Sequence, residues 1–384
     1  MFYLVIFLFA LIFSVCNMFS HTKDEMRLSN VFFYTLVFTF IIIGGFRFET
    51  GGDWPGYRDL YEGVDTRTIE PFFKGIIYLA KLLGHYQWIF FFCEVIRFAT
   101  MAIILEKNVD FDKRYKCLFV LLYYVMYFFY YDLVIIRQST AAAVFIFGVV
   151  KENHISFKKY LLYVFLAACF HFSSLFLIFT YYPLFKMKNK TLGVITIGFI
   201  FLYFLKIDLL SNLLGLVLKV LPQNYLFSRL YAYTKIAALA TVRKITGQSL
   251  VYLLIFCMLL FDRFILNKRS NELFFNGASL FVFLYFGFPS LSTISTRLST
   301  FFSIFIIFVL IEIIKIYKKT FFVPIVLITL CFAFNKGVFF EAADKIAYNP
   351  YQFYWMHEIF GINSDGMERL ETTNKITDQL ENGK

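Results

Sequence analysis

The chain has 384 residues, of which 60% are hydrophobic, 22% are aromatic and only 16% are charged, and its mean hydropathy is +0.69. This composition excludes a soluble globular domain and predicts an integral membrane protein. The formal net charge of +11 does not indicate nucleic-acid binding, because the lysines and arginines lie in short clusters between apolar runs. The positive-inside rule produces that distribution, so the charge reports membrane orientation.

Apolar stretches long enough to form transmembrane helices recur from the first residues to about position 335. The first stretch has no basic region before it and no small-residue cleavage site after it, which indicates a retained helix rather than a signal peptide. We therefore expect an all-α fold, a polytopic integral membrane helical bundle of about 10 to 11 transmembrane helices. The clearest predicted spans are 2–19, 30–46, 86–105, 115–131, 133–150, 191–206, 249–266, 272–289, 298–316 and 320–335.

Residues 159–182 are apolar enough to cross the membrane once, but lysine clusters at 151–159 and 186–190 flank both ends. A single crossing would place one cluster outside, against the charge rule. A re-entrant hairpin that enters and returns on the cytoplasmic side, with His171 near its turn, would place every short basic loop inside. An ordinary eleventh span is the alternative, and the sequence does not decide between the two.

No internal repeat or low-complexity linker divides the chain, so one membrane domain, 1–335, and a polar C-terminal tail, 336–384, are predicted. The hairpin model places two long loops, 47–85 and 207–248, outside. The second loop carries Arg229 and Arg243, and a basic outer loop violates the charge rule. We therefore expect these loops to hold the functional site.

The first outer loop opens with the run FRFETGGDWPGYRDLY, whose charges stand out in an otherwise apolar region. Gly51 and Gly52 permit backbone conformations closed to other residues, and the proline that follows fixes a turn. The run therefore predicts a shaped loop that presents Asp53 and Trp54. An ordered connection whose charges only pair with one another is the structural alternative.

Two arginines are predicted near the outer starts of spans, Arg137 followed by Gln138, and Arg297. An arginine inside a span rarely faces lipid, and its planar fork suits a phosphate or a carboxylate. Snorkelling to the interface is the alternative for Arg137. His171 lies within a strongly apolar segment, where imidazole could accept a proton near neutral pH or be a hydrogen-bonded structural residue.

The remaining signals do not indicate a metal or a cofactor. The six cysteines are scattered singly, without zinc-ligand spacing. Asp110 and Asp112 have the spacing of a metal-nucleotide motif but lie in a short basic loop, where solvated charge explains them better. The chain has no phosphate-binding P-loop, zincin or serine-hydrolase motif. No cofactor and no metal site are expected.

Three segments occur in a characteristic order: FRFETGGDWPGYRDLY, IIRQSTAAAVFIF and AACFHFSSLFLI. With this order and spacing, the chain resembles the EpsG family of Wzy-like bacterial polysaccharide polymerases over about residues 30 to 300. The residues that carry the resemblance are Arg47, Gly51, Asp53, Tyr57, Arg137, Gln138, His171 and Ser173.

The resemblance implies a Wzy/GT-C-like membrane glycosyltransferase that acts without a metal. It would join polyprenyl-pyrophosphate-linked oligosaccharide repeat units on the outer side of the bacterial cytoplasmic membrane. A flippase and a chain-length regulator are candidate partners beside the lipid substrate and the bilayer. His171 and Asp53 are the candidate bases, between which the spacing does not decide. The predicted ligands of pyrophosphate and sugar are Arg47, Tyr57, Arg137, Gln138, Arg229, Arg243 and Arg297.

Two other classes of protein fit parts of the pattern. A lipid-linked oligosaccharide flippase also needs many spans and buried arginines, although inverted repeats are not evident. A membrane O-acyltransferase acting on polysaccharide could use His171 as its base, but it would need an acidic or amide partner deep in the membrane. The segment around His171 offers only serines.

Overall fold

A computed structural model describes residues 2–65, 69–151, 155–220, 245–264, 271–317, 323–340 and 342–382. Every regular element in these ranges is helical, and one isolated β-bridge joins Arg47 to Phe353. The predicted all-α fold is thereby confirmed. The chain divides into two compact units, the first formed by 1–174 with 318–384 and the second by 175–317.

The first unit contains the N-terminal helices and the C-terminal segment. Its α-helices are α1 (Phe2–Met18), α2 (Lys23–Gly45), α3 (Trp54–Glu62), α4 (Pro71–Leu82), α5 (Gln87–Lys107), α6 (Lys116–Tyr123), α7 (Phe129–Tyr131), α8 (Ile136–Lys151) and α9 (Phe157–Ala168). A π-helical turn, Tyr124–Phe128, joins α6 to α7. Among these, α5 packs against both α2 and α8, and α8 packs against α9.

A 3-10 segment, Phe172–Thr180, runs into the second unit. The helices of that unit are α10 (Tyr181–Phe185), α11 (Asn189–Phe204), α12 (Leu209–Val220), α13 (Gly247–Phe264), α14 (Glu272–Gly287), α15 (Ser292–Thr300) and α16 (Ser303–Tyr317). Here α14 is the central helix, packed against α11, α15 and α16. Thirteen of its sixteen residues are buried, which explains its nearly continuous apolar sequence.

Three of the described helices, α2, α5 and α13, are long and apolar enough to cross a membrane. Two bent pairs would raise the number to five, α11 with Leu209–Val217 at 95° and α15 with Ser303–Lys315 at 63°. Shorter apolar helices are also present, including α1 and α14. These observations agree with a polytopic bundle, and the expected 10 to 11 crossings stay a prediction.

The segment 159–182 is not one continuous α-helix. Helix α9 ends at Ala168, and the 3-10 segment begins at Phe172, so the break carries His171. The break does not exclude an ordinary eleventh span, which stays a prediction beside the hairpin. Whether the chain turns back to the cytoplasm at the break stays a prediction, because no membrane boundary is defined.

The C-terminal segment, 323–340 and 342–382, includes the predicted polar tail from residue 336 onward and folds onto the loop that follows α2. It forms α17 (Val323–Phe340), α18 (Ala342–Tyr348), α19 (Tyr354–Phe360) and α20 (Gly366–Asn382). Its backbone is joined to the loop by the bonds from the Phe48 amide to Gln352 (2.8 Å) and from the Tyr354 amide to Phe46 (2.9 Å). This segment therefore helps to shape the loop between α2 and α3.

Candidate functional site

The loop between α2 and α3 follows the two glycines that end α2, Gly44 and Gly45. A capping box between Thr22 and Glu25 starts α2. Near its other end, a Cβ at Gly44 would lie 2.2 Å from Glu94 Oε1, so glycine allows α5 to approach closely. Gly51 has a φ of +90°, and a Cβ there would lie 2.7 Å from the Leu133 carbonyl oxygen. The expected glycine-dependent turn is present at Gly51.

Arg47 is buried, with 1% of its surface exposed. Its Nη1 donates to the carbonyl oxygens of Thr50 and Leu133, the latter at 2.7 Å, and its guanidinium lies 4.5 Å from the centre of the Phe90 ring. The guanidinium thus binds backbone carbonyls inside the protein. This geometry does not support the prediction that Arg47 binds the substrate pyrophosphate, and it indicates a role in fixing the loop.

Helix α3 presents Tyr57 inward, between the rings of Phe73 (5.9 Å) and Phe90 (5.7 Å). Burial raises the pKa of Tyr57 to about 12, with Arg137 opposing this shift and Asp53 adding to it. Tyr57 is therefore a neutral phenol within the electrostatic reach of both charged residues. The rings of Tyr57 and Trp54 are both buried, so neither ring can stack against a sugar in this conformation.

Arg137 lies in the first turn of α8 and is 26% exposed. Its Nη1 donates to Oε2 of Glu70 at 3.0 Å, and its guanidinium lies 5.5 Å from the centre of the Phe73 ring. Glu70 precedes the proline that starts α4, and its side chain is only 4% exposed. One carboxylate therefore fixes the arginine through one nitrogen, while a quarter of the side chain stays accessible.

The same carboxylate reaches His171. Glu70 Oε1 accepts from the Phe172 amide at 3.2 Å and lies 3.6 Å from His171 Nδ1. Ser173 contacts that nitrogen with its amide (3.3 Å) and its hydroxyl (3.4 Å). The Ser173 amide donates to an unprotonated Nδ1, whereas a protonated Nδ1 would point its N–H toward Glu70 and the Ser173 hydroxyl.

The three residues together can therefore perform acid-base and anion-binding chemistry. Arg137 supplies a partly exposed cation, His171 supplies a proton acceptor that is 18% exposed, and Glu70 links the two. Residues 137 and 171 belong to different sequence motifs, and the structure brings them to one carboxylate. Among the described residues, no group of three or more histidines, cysteines and acidic residues is placed to hold a metal ion.

Comparison with known proteins assigns this arrangement to a family. The model of the EpsG family matches residues 30–353, which is most of the chain and includes the whole Arg137, Glu70 and His171 group. The chain belongs to the EpsG family. No curated protein and no solved structure matches it. Membership indicates a polysaccharide polymerase-like role for this EpsG protein, and its apolar helices indicate a membrane location.

Other predicted site residues of the EpsG chain lie elsewhere. Asp53 is exposed at the start of α3, and Gln138 is buried in α8 beside Arg137. Arg297 is half-buried on α15 in the second unit, so its convergence with Arg137 stays a prediction. Arg229 and Arg243 lie outside the residues that the structure describes.

Sequence reasoning missed Glu70 and a second group of charges behind it. Glu94 and Arg97 lie within α5, and Asp132 lies between α7 and α8, all of them buried. The signal was present for the first two, since charged residues inside an apolar span are rare and face the protein interior. For Glu70 the signal was weaker, because a carboxylate before a helix-starting proline is common in loops.

Proposed function

We propose that this EpsG-family protein polymerises oligosaccharide repeat units carried on polyprenyl pyrophosphate into extracellular, capsular or O-antigen polysaccharide. The supporting observation is the contact of one buried carboxylate, Glu70, with Arg137 (3.0 Å) and with the His171 ring (3.6 Å). The proposal places the reaction at the outer face of the bacterial cytoplasmic membrane. Lipid and sugar are the only substrates it requires.

The reaction exchanges one bond for another at the anomeric carbon. The acceptor hydroxyl oxygen forms a bond to that carbon, and the bond from the carbon to the pyrophosphate oxygen breaks. The electron pair leaves with the lipid pyrophosphate, and the hydroxyl proton passes to the base. The catalyst therefore needs a fixed cation at the leaving group and a proton acceptor at the hydroxyl.

Arg137 would supply the cation. Its guanidinium is held by Glu70 through Nη1 and is backed by the Phe73 ring, so its direction is set before the substrate arrives. Preorganised charge of this kind commonly contributes on the order of 10² to 10³ in rate. His171 would take the hydroxyl proton, and Glu70, 3.6 Å from the ring, would stabilise the imidazolium that forms. Asp53 stays the second candidate for the base.

The test is the polysaccharide profile of a strain lacking the protein and complemented with Arg137→Ala. The matched control is Arg114→Ala. This substitution breaks the ion pair between Arg114 and Asp112 (2.7 Å), which lies outside the candidate site. The proposal predicts that Arg137→Ala leaves single lipid-linked repeat units on the outer leaflet, whereas the control makes full-length polymer.

Three results would contradict the proposal. Repeat units retained on the inner leaflet would indicate a flippase. Full-length chains lacking acyl groups would indicate an O-acyltransferase. Normal polymer from Arg137→Ala, with expression equal to the control, would remove this arginine from the reaction.

A further inference from the structure

A buried charge network lies behind Arg137. Arg97 pairs with Glu94 through Nη2 and with Asp132 through Nε, the latter at 2.6 Å. The Tyr123 hydroxyl also donates to Asp132, at 3.1 Å. Arg97 is 4% exposed and both carboxylates are fully buried, so the group is almost entirely shielded from solvent. Such charges persist in an apolar bundle only when they are paired and hydrogen-bonded.

The remaining nitrogen of Arg97 holds the first turn of α8. Its Nη1 donates to the Ile136 carbonyl (3.2 Å), the Ser139 hydroxyl (3.1 Å) and the Thr140 hydroxyl (3.1 Å). Residues 136, 139 and 140 surround Arg137 in sequence. One guanidinium on α5 therefore fixes both the position and the rotation of the turn that carries Arg137.

Arg47 holds the segment just before this turn. Its bond to the Leu133 carbonyl (2.7 Å) fixes the chain between α7 and α8, and the nearby Gly51 leaves room for that approach. The β-bridge from Arg47 to Phe353 ties its backbone to the C-terminal segment. The chain that leads into α8 is thus held by two buried arginines from separate elements.

We infer that Arg97 and Arg47 are positioning residues that act through Arg137. Both side chains are buried away from the surface where substrate could touch them. Arg97 binds the turn that begins α8, and Arg47 binds the Leu133 carbonyl just before it. The effect on activity that we infer rests on the proposed function. The inferred placement of α8 by these two arginines does not depend on the proposed function.

The inference requires the planar fork of arginine rather than its charge alone. Arg97 uses three nitrogens at once toward two carboxylates and three acceptors on α8. A lysine keeps the positive charge but has a single nitrogen with three donors. Arg97→Lys should therefore keep the charge balance and release the turn.

The experiment measures placement and activity separately. In a background with the six native cysteines replaced by alanine, Glu70→Cys and Arg137→Cys are linked in membranes with a short bifunctional maleimide. Adding Arg97→Lys, or the milder Thr140→Val, should lower the cross-link yield severalfold. Ser14→Ala is the control, because that buried hydroxyl donates to the Ala10 carbonyl of its own helix, at 2.7 Å.

Activity is then measured on the purified full-length protein with a lipid-linked repeat unit. Arg97→Lys should lower kcat on the order of tenfold or more with little change in KM, since Arg137 would act on the leaving group in the transition state. Thr140→Val should have a smaller effect of the same kind. In an Arg137→Ala background, neither substitution should lower kcat further.

An unchanged cross-link yield in both folded variants would overturn the inference. If Arg97→Lys does not fold, Thr140→Val tests the inference in its place. A cross-link yield and kcat of Thr140→Val equal to those of Ser14→Ala would refute the inference. A lowered yield, together with normal polymer from Arg137→Ala, would uphold the positioning of α8 and defeat the proposed function instead.

Discussion

At the scale of single residues, the candidate site depends on which charges the fold buries. The sequence marked Arg47 and Arg137 as equivalent candidates, yet Arg47 is 1% exposed and Arg137 is 26% exposed. Burial of this kind is set by tertiary packing, which no local pattern reports. The carboxylate that organises the site, Glu70, lies 67 residues from Arg137 and 102 residues from Phe172, so its partners could not be read from spacing.

The two neighbouring glycines of the loop between α2 and α3 give a paired test. Gly51→Ala would force a positive φ on alanine and place its Cβ 2.7 Å from the Leu133 carbonyl. We expect it to destabilise the fold by about 1 to 3 kcal/mol. A Cβ at Gly52 would meet no atom within 4 Å.

The measurement is the apparent melting temperature of the purified variants in detergent. Gly51→Ala should melt several degrees below the natural protein, and Gly52→Ala should melt close to it. Equal melting temperatures for the two alanine variants would show that the loop does not adopt this turn.

At the scale of elements, the C-terminal segment is an unexpected part of the site's support. Arg369 of α20 donates to the carbonyl oxygens of Glu49 and Pro350, each at 3.1 Å, and to Asp365 at 2.8 Å. The sequence offered no periodicity strong enough to predict this docking. Its physical basis is backbone pairing with the 46–51 loop, which is created only when residues more than 300 positions apart meet.

Arg369→Ala should loosen the C-terminal segment and reduce polymer formation, because three hydrogen bonds of a buried guanidinium are lost. The control is Lys375→Ala, which removes an exposed cation from the same helix. Limited proteolysis in membranes is the measurement. Faster cleavage near residue 350 in Arg369→Ala alone is the expected result, and identical cleavage of both variants would argue against the docking.

At the scale of the whole molecule, the all-α class and most helix positions were predictable. Continuous apolar length identifies α5 within two residues at each end, because the bilayer imposes that length, whereas α2 begins seven residues before its predicted span. Breaks were harder to predict, since α15 ends at Thr300 inside an apolar run that reads as one span, 298–316. The helix before the bend is rich in hydroxyl residues and the helix after it is strongly apolar, but such a change in composition does not itself require a bend, and packing decides where it falls.

The broken segment at His171 leads to a prediction about topology. Its two helical pieces, Phe157–Ala168 and Phe172–Phe185, are each shorter than the roughly 20 residues of a span. The lysines on both sides favour the cytoplasm. We expect Lys158→Cys and Lys188→Cys to be labelled by impermeant thiol reagents only from the cytoplasmic face. Labelling of Lys188→Cys from outside alone would rule out the hairpin.

The central claim is that Glu70, Arg137 and His171 act as one site, and a double-mutant cycle on the purified protein tests it most directly. The rate of polymerisation of a lipid-linked repeat unit is measured for Glu70→Gln, His171→Gln and the double variant. The control is Glu106→Gln, which alters an ion pair outside the candidate site, between Glu106 and Lys116 (2.6 Å). We expect each single variant to lose about 10² in kcat and the double variant to lose little more. Independent, multiplying losses, or a Glu70→Gln rate equal to that of Glu106→Gln, would contradict the account.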